Sequence, residues 1–108
     1  MMLALALLAL SQDYYVLSTG DDANDGTSPK TAWKTFAAAN ARTFKPNETL
    51  HIESGKTFPG PLRFDKDDAG SVLNYGEGRP VIDGGAGDGI VLDRCEGVSI
   101  RNVAVRAS

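Results

Sequence analysis

DYYVLSTGDDANDGTSPKTAWKT, residues 13–35, is the stretch that decides the fold of this 108-residue chain. Aromatic and β-branched residues at positions 14–18 predict a strand, and the Gly, Asp, Asn, Ser and Pro residues at 19–29 predict a loop. From Trp33 onward, apolar residues recur at spacings of three and four, which predicts an amphipathic helix of about three turns capped by Thr31. The helix must end before Pro46, because the residue preceding a proline disfavours the helical conformation.

Short runs of alternating apolar and polar residues follow the helix, and each run predicts a strand. The runs are residues 50–53, 61–64, 72–75, 80–83, 89–93, 98–100 and 103–105. Taking every second run gives two series of near-constant spacing, which predicts stacked coils. The series are Leu50, Val72 and Ile90, separated by 22 and 18 residues, and Leu62, Val81 and Val98, separated by 19 and 17 residues.

Antiparallel hairpins are the alternative source of many short strands, and the turns distinguish the two architectures. Hairpins favour Asn-Gly or Asp-Gly pairs between strands. Between the last two runs stands the Gly-free pair Arg101-Asn102, which suits a corner where one strand bends into the next face of a coil and the Asn side chain bonds the backbone locally. The sequence therefore favours parallel coils.

From residue 13 onward the chain resembles the right-handed parallel β-helix proteins of the pectate-lyase-like superfamily. The matching segments are DYYVLSTG, DDANDGTSPKTAW, WKTFAAANA, TLHIESGKTFPGPL, YGEGRPVIDGG and GVSIRNVAV. The resemblance implies an all-β, right-handed parallel β-helix (solenoid) with an N-terminal capping α-helix that plugs the first coil. Residues 12–108 would then hold the cap and about two and a half coils, with the catalytic coils of a longer protein beyond Ser108.

The resemblance also implies a function. It points to part of an exported carbohydrate-active protein of the polysaccharide lyase or hydrolase type, with a polysaccharide, acidic ones included, as its partner. This chain alone is expected to be inactive and to hold no cofactor, whereas Ca²⁺ would serve the intact protein. The alternative is a non-enzymatic β-helix surface or adhesive protein that binds glycans or other partners.

Composition narrows the partners and the location. A net charge of −3 and a pI of about 5.0 give no basic field for nucleic acid or an anionic membrane. The apolar run at residues 3–10 is too short to span a bilayer, but it matches the core of a secretory signal. We therefore expect residues 1–11 to be a signal peptide and the protein to be secreted or at the cell surface, extracellular or periplasmic. A core strand is the alternative, because no Lys or Arg precedes the run.

Oxygen-bearing side chains crowd the loop after the first strand, and hard cations such as Ca²⁺ prefer such ligands. The spacing fails the EF-hand pattern, in which Ala23 and Ala32 would occupy ligand positions. The alternative is a tight loop in which these side chains bond their own backbone and Gly26 adopts a left-handed conformation. The weak candidates for a metal site are Asp21, Asp22, Asn24 and Asp25.

If the first series of strands stacks as its spacing predicts, Glu53, Tyr75 and Asp93 form an outward column. The two carboxylates would then be ~10 Å apart, near the upper limit for an inverting glycosidase, which makes Glu53 and Asp93 weak catalytic candidates. Tyr75 is the candidate sugar-binding residue. A solvated polar face is the alternative, and the sole histidine, His51, is expected to be a solvated side chain on the same outward face.

The last predicted coil leaves unpaired strand edges along residues 98–105. Such edges template association with other strands. We therefore expect self-association through this exposed C-terminal coil edge.

Overall fold

The computed structural model describes residues 12–85, 87–95 and 97–106. The predicted signal peptide, residues 1–11, lies outside the described residues. The elements are β1 (Gln12–Val16), a 3-10 turn (Pro29–Thr31), α1 (Phe36–Asn40), β2 (Glu48–Glu53), β3 (Thr57–Pro59), β4 (Leu62–Phe64), β5 (Ala69–Tyr75), β6 (Val81–Asp83), β7 (Ile90–Leu92), β8 (Gly97–Ile100) and β9 (Ala104–Arg106).

The strands form three sheets, named A, B and C here. Sheet A has the order β1-β2-β5-β8, sheet B the order β3-β6-β9, and sheet C pairs β4 with β7. Every pairing between these strands is parallel. From β2 onward the chain visits sheets A, B and C in that order, repeats the circuit, and then returns to A and B. The predicted all-β class is confirmed at this level.

The corner predicted at Arg101-Asn102 is confirmed. The strand before it, β8, pairs with β5 in sheet A, whereas the strand after it, β9, pairs with β6 in sheet B. Asn102 has a φ of 55°, a left-handed conformation that asparagine tolerates better than most residues. Its side-chain amide donates to Oδ1 of Asn74 on β5, 3.3 Å away. The two strands are therefore not a hairpin.

The predicted stacking of equivalent positions is only partly correct. Leu50 does pair with Val72, but the next partner of Val72 is Ile100. Ile90 lies in sheet C opposite Leu62, and the second predicted series is wrong throughout. Unequal connections between the sheets cause these errors, because the Gly-rich loop between β6 and β7 and the missed strand β3 shift the spacing.

The predicted three-turn helix is wrong in its start and its length. The five-residue helix α1 begins at Phe36, and its N-cap is Thr35, whose hydroxyl accepts from the Ala37 N–H at 3.2 Å. Trp33 lies before the helix in extended backbone and forms a parallel bridge with Val16. The backbone N–H groups of Lys34 and Thr35 donate to the Asp22 carboxylate, which holds this segment out of the helix.

The core lies between the sheets and under α1. Alternate residues of the strands point inward, and the most deeply buried side chains include Val16, Leu50, Ile52, Leu62, Val72 and Ile82. Helix α1 ends at Asn40, whose amide donates to the Pro61 carbonyl at 3.0 Å and accepts from the Arg63 N–H at 2.8 Å. The helix thus takes the place of a neighbouring strand at the edge of β4.

The opposite edges belong to β7, β8 and β9. Leu92 on β7 and Val105 on β9 are half-exposed there, and self-association through this end stays a prediction. Within the described ranges, no helix has the length and apolar character needed to cross a bilayer.

Candidate functional site

Three aromatic rings form a cluster on the outer surface of sheet A. Because Tyr14, Val16, Leu50 and Ile52 point into the core, the residues between them point outward. Tyr15 on β1 is in register with His51 on β2, and Tyr75 on β5 is in register with Glu53. We call this surface the aromatic face and define it by Tyr15, His51 and Tyr75 with the flanking carboxylates of Asp13 and Glu53.

The rings of the aromatic face pack against one another. Tyr15 and His51 are stacked, with ring centroids 4.8 Å apart and an interplanar angle of 16°. Tyr75 presents its ring edge-on to both, with centroids 5.4 Å from Tyr15 and 6.4 Å from His51. Offset stacks and edge-to-face pairs are the arrangements that aromatic quadrupoles favour. The cluster is therefore pre-ordered, and Tyr75, which is 39% exposed, is its most accessible ring.

In each flanking carboxylate, one of the two oxygens takes part in the hydrogen bonds that hold it. Oδ1 of Asp13 lies 3.1 Å from Nε2 of His51, and Oε1 of Glu53 accepts from both the N–H and the hydroxyl of Ser18 at 2.8 Å. The second oxygen of each carboxylate has no hydrogen-bond partner among residues 12–85, 87–95 and 97–106. Both groups thus have a fixed orientation and a spare acceptor.

Tyr15 keeps its proton in this setting. Burial raises the pKa of its phenol, and the charge of Asp13 and the neighbouring Tyr75 raise it further. The hydroxyl of Tyr15 is therefore a hydrogen-bond donor at neutral pH.

This arrangement suits contact with a sugar. The negative face of an aromatic ring attracts the slightly positive C–H groups on the flat side of a pyranose, while fixed carboxylate oxygens accept hydrogen bonds from hydroxyl groups. An aromatic face with such an acceptor at each end supplies both kinds of contact.

The structure brings two of the three predicted column residues together. Glu53 and Tyr75 are neighbours in register, as the sequence indicated. Asp93 follows β7 in sheet C, where its N–H donates to the Phe64 carbonyl at 2.8 Å. The predicted column of Glu53, Tyr75 and Asp93 is therefore wrong for Asp93, because Ile90 does not stack on Val72. A catalytic role for Glu53 stays a prediction.

Asp93 instead borders a cleft of about 330 Å³ beside α1. The buried Asp68 in that cleft uses both carboxylate oxygens to accept from the N–H groups of Phe44 and Asp65, at 2.7 and 2.8 Å. Arg42, also at the cleft, pairs with Glu48 at 2.8 Å. The polar groups of Asp68 and Arg42 are thus used to stabilise the backbone and the Glu48 side chain around the cleft. The aromatic face, which has spare acceptors, is therefore the better candidate site.

The predicted metal ligands make local structural contacts. Asp22 accepts from the backbone at Lys34 and Thr35 and from the Thr35 hydroxyl, and Gly26 has the expected left-handed φ of 77°. The other candidates behave similarly: Asp21 accepts from Ala23, Asp25 accepts from Thr27, and the Asn24 amide donates to the Ala32 carbonyl. Among the residues that the structure describes, no three His, Cys, Asp or Glu side chains are grouped to hold a metal ion.

Asp22 gives the fold a predicted acid sensitivity. Burial raises the pKa of its carboxyl, but hydrogen bonds from Thr35 and Lys34 and the charge of Lys34 together lower it below its ordinary value of 3.8. The ionised carboxylate therefore stabilises the fold above about pH 4, and this stabilisation is lost as the pH falls through the lowered pKa. We expect Asp22→Ala to lower the free energy of unfolding by about 1 kcal/mol at pH 7.

Urea unfolding between pH 7 and pH 2.5 checks this prediction. The difference between wild type and Asp22→Ala should shrink below pH 4. The control is Asp67→Ala, which removes an exposed carboxylate from another turn. A difference that persists unchanged at pH 2.5 would contradict the assignment.

The sequence did not reveal Tyr15 and His51 as members of a site. His51 was expected to be solvated, yet its side chain is only 18% exposed, because Tyr15 stacks on it. The two residues are 36 positions apart, so only the pairing of β1 with β2 shows that they are neighbours. The signal in the sequence was the alternation that put both residues on outward positions.

Comparisons with known proteins connect the chain with glycan-degrading enzymes. No protein-family model matches the chain. Among curated proteins, a lacto-N-biosidase of Bifidobacterium longum subsp. longum is 38% identical over 81 aligned residues, which cover 64% of this chain and 5% of that protein.

Two solved structures have a similar fold. The GH136 lacto-N-biosidase of Eubacterium ramulus, as native protein, matches 86% of this chain and 20% of its own with a TM-score of 0.73 and 23% identity. Its selenomethionine derivative matches 97% of this chain and 22% of its own, with a TM-score of 0.71 and 20% identity. At these identities the likeness bears on the fold alone. The chain spans a twentieth of the curated relative and about a fifth of the solved structures.

These relatives correct the predicted family. The assignment to the pectate-lyase-like superfamily is wrong, because the structural neighbours are GH136 lacto-N-biosidases, which are glycoside hydrolases. The same finding shows that the predicted polysaccharide lyase type is wrong, whereas a carbohydrate-active protein of the hydrolase type agrees with it.

Proposed function

We propose that this chain is a module of a carbohydrate-active protein of the glycoside hydrolase type, and that its aromatic face is a glycan-binding surface. The observation that carries the proposal is the outward cluster of Tyr15, His51 and Tyr75, ordered between two fixed carboxylates. The similarity to lacto-N-biosidases supports the choice of a glycan as the ligand.

The fold that carries this surface is, in the same proposal, a right-handed parallel β-helix. Its support is the order in which the chain visits sheets A, B and C, with each strand pairing in parallel with its counterpart one coil away. Connections between parallel strands of one sheet are right-handed in nearly all proteins. In such a stack, strands of neighbouring coils lie ~4.8 Å apart, so the aromatic face spans three coils of sheet A.

Binding, and not bond cleavage, is the role proposed for the described residues. A glycosidase of the usual kind needs two carboxyl groups on opposite sides of the scissile bond. Asp13 and Glu53 share the aromatic face but are four positions and one strand apart, ~14 Å, which exceeds the ~5 to 9.5 Å of glycosidase carboxyl pairs. Asp93 follows β7 in sheet C. We therefore assign Glu53 to contact with sugar hydroxyls. Export of the protein is also part of the proposal, and its support is the apolar run at residues 3–10.

Removal of the exposed ring should weaken glycan binding. We expect Tyr75→Ala to raise the Kd for lacto-N-biose, the disaccharide specified by the name of the relatives, about tenfold, because ring contacts of this kind contribute roughly 1 kcal/mol beyond their buried area. Isothermal titration calorimetry of the purified chain measures the change.

Two variants serve as controls. Tyr75→Phe keeps the ring and should bind nearly as wild type does. Leu92→Ala removes from sheet C an apolar side chain that is 52% exposed, against 39% for Tyr75, and should leave the Kd unchanged. Equal affinity of Tyr75→Ala and wild type, or no binding by the wild-type chain, would contradict the proposed function.

A further inference from the structure

The charges around the aromatic face point to the class of glycan that it accepts. Resting on the proposed function, we infer that the face selects against anionic glycans and binds neutral or cationic ones, with Asp13 and Glu53 as the specificity-determining residues.

Both carboxylates lie on the side of sheet A that the ligand contacts. The Asp13 side chain is 47% exposed, and its ion-pair partner among the described residues is His51. The contacts of Glu53 are neutral donors, the N–H and the hydroxyl of Ser18. Within the described part of the chain, no Lys or Arg forms an ion pair with either carboxylate. A glycan on the aromatic face therefore meets two carboxylates that have no Lys or Arg partner.

Asp13 and Glu53 lie at opposite ends of the aromatic face. Along β1, Asp13 precedes Tyr15 by two residues, and along β2, Glu53 follows His51 by two and is in register with Tyr75. The two residues are therefore four positions and one strand apart, ~14 Å. An oligosaccharide that extends from Tyr75 across Tyr15 and His51 passes Glu53 at one end and Asp13 at the other, so anionic groups along it approach both carboxylates.

Repulsion of this kind is large enough to measure. Two like charges about 5 Å apart near a protein surface repel strongly enough to change an equilibrium constant roughly tenfold. Since the Debye length is ~10 Å at 0.1 M ionic strength, the discrimination persists at low salt and fades as salt is added. The same carboxylates attract a cationic sugar, so they raise its affinity and lower the affinity of an anionic sugar.

A cationic side chain, that of Arg101, follows β8 at the edge of the same sheet. The Arg101 N–H donates to the Val72 carbonyl at 3.0 Å, which continues the register so that Arg101 lies beside Leu73. Leu73 precedes Tyr75 on β5 by two residues, so Arg101 is one strand and two residues, or ~8 Å, from Tyr75. Glu53 is in register with Tyr75 on the adjacent strand, ~4.8 Å away. The Glu53 carboxylate is therefore nearer to the exposed ring than the cation is, and Arg101 provides a control.

The test compares three tetrasaccharides of equal length: N-acetylglucosamine (neutral), glucosamine (cationic) and galacturonate (anionic). Binding to the wild-type chain is measured by titration calorimetry at 20 mM and 300 mM salt. We expect galacturonate to bind at least tenfold more weakly than the neutral tetramer at 20 mM salt, and the gap to narrow at 300 mM. Glucosamine should bind at least as tightly as the neutral tetramer.

Variants attribute the discrimination to the two carboxylates. Asp13→Asn with Glu53→Gln should bring galacturonate to within about threefold of the neutral tetramer, and Asp13→Asn alone should narrow the gap if the double variant does not fold. Arg101→Ala should not improve galacturonate binding. Equal wild-type affinity for the neutral and anionic tetramers, or discrimination that survives in the folded variants, would overturn this inference while the proposed function stands. No binding of any tetramer would overturn both.

Discussion

Replacing Trp33 with alanine will lower the free energy of unfolding by about 3 to 5 kcal/mol, the usual loss for a buried aromatic side chain. The indole is 5% exposed and stacks on Tyr14 with centroids 5.4 Å apart. Its Nε1 donates to the Asn24 carbonyl at 2.9 Å. The ring thus joins the opening strand, the acidic loop and the core, and the substitution leaves a cavity at the point where all three meet.

Urea unfolding followed by circular dichroism measures this loss. Trp33→Phe is the matched control, because it retains most of the packing and removes the hydrogen bond to Asn24, so we expect a loss of about 1 kcal/mol. A domain of this size has roughly 5 to 15 kcal/mol of stability, so the alanine variant should be close to unfolding at 37 °C. Near-native stability of Trp33→Ala would show that the ring is not the link between cap and core.

Breaking the ion pair between Arg42 and Glu48 should have the second largest effect. The Glu48 side chain is 9% exposed and accepts from Arg42 through both oxygens, at 2.8 and 3.0 Å, and from the Lys45 N–H at 2.9 Å. The guanidinium lies 4.2 Å above the centroid of the Tyr14 ring. We expect Glu48→Ala to cost about 3 kcal/mol, because it leaves a partly buried cation without its counter-charge.

A double-mutant cycle separates the pair from its parts. The double variant Arg42→Met, Glu48→Leu should be more stable than Glu48→Ala, because the uncompensated charge is gone and apolar volume is restored. The measurement is again the free energy of unfolding in urea. In the double variant Arg42→Ala, Glu48→Ala, a loss of stability equal to the sum of the two single losses would contradict the coupling.

The sequence predicted the sheets better than the cap. Period-two alternation identified the strands of sheet A, and the Gly-free corner at Asn102 separated parallel from antiparallel pairing, because both signals are local. The start of α1 was misjudged because a distant carboxylate, Asp22, binds the N–H groups of Lys34 and Thr35. Helical spacing in the sequence carries no record of such a competing contact.

The residues of the candidate site were likewise only partly predictable from the sequence. Glu53 and Tyr75 are separated by the same 22 residues as Leu50 and Val72, so one correct pairing was enough to predict that they are neighbours. Tyr15 and His51 are separated by the loop and α1, and the length of that segment does not reveal the register of β1 on β2. Asp93 was misplaced because the Gly-rich loop before β7 lengthens the connection from β5. The pairing of β2 with β5 could thus be predicted from sequence, whereas register across unequal loops could not.

The measurement that tests the central claim most directly is a titration of the ¹⁵N-labelled chain with lacto-N-biose, followed residue by residue by NMR. We expect the shifted amide signals to cluster on β1, β2 and β5 around Tyr15, His51 and Tyr75, with the Tyr75 amide among those that move most. Shifts centred on the cleft beside Asp93, or no shifts at millimolar sugar, would contradict the assignment of the aromatic face as a glycan-binding surface.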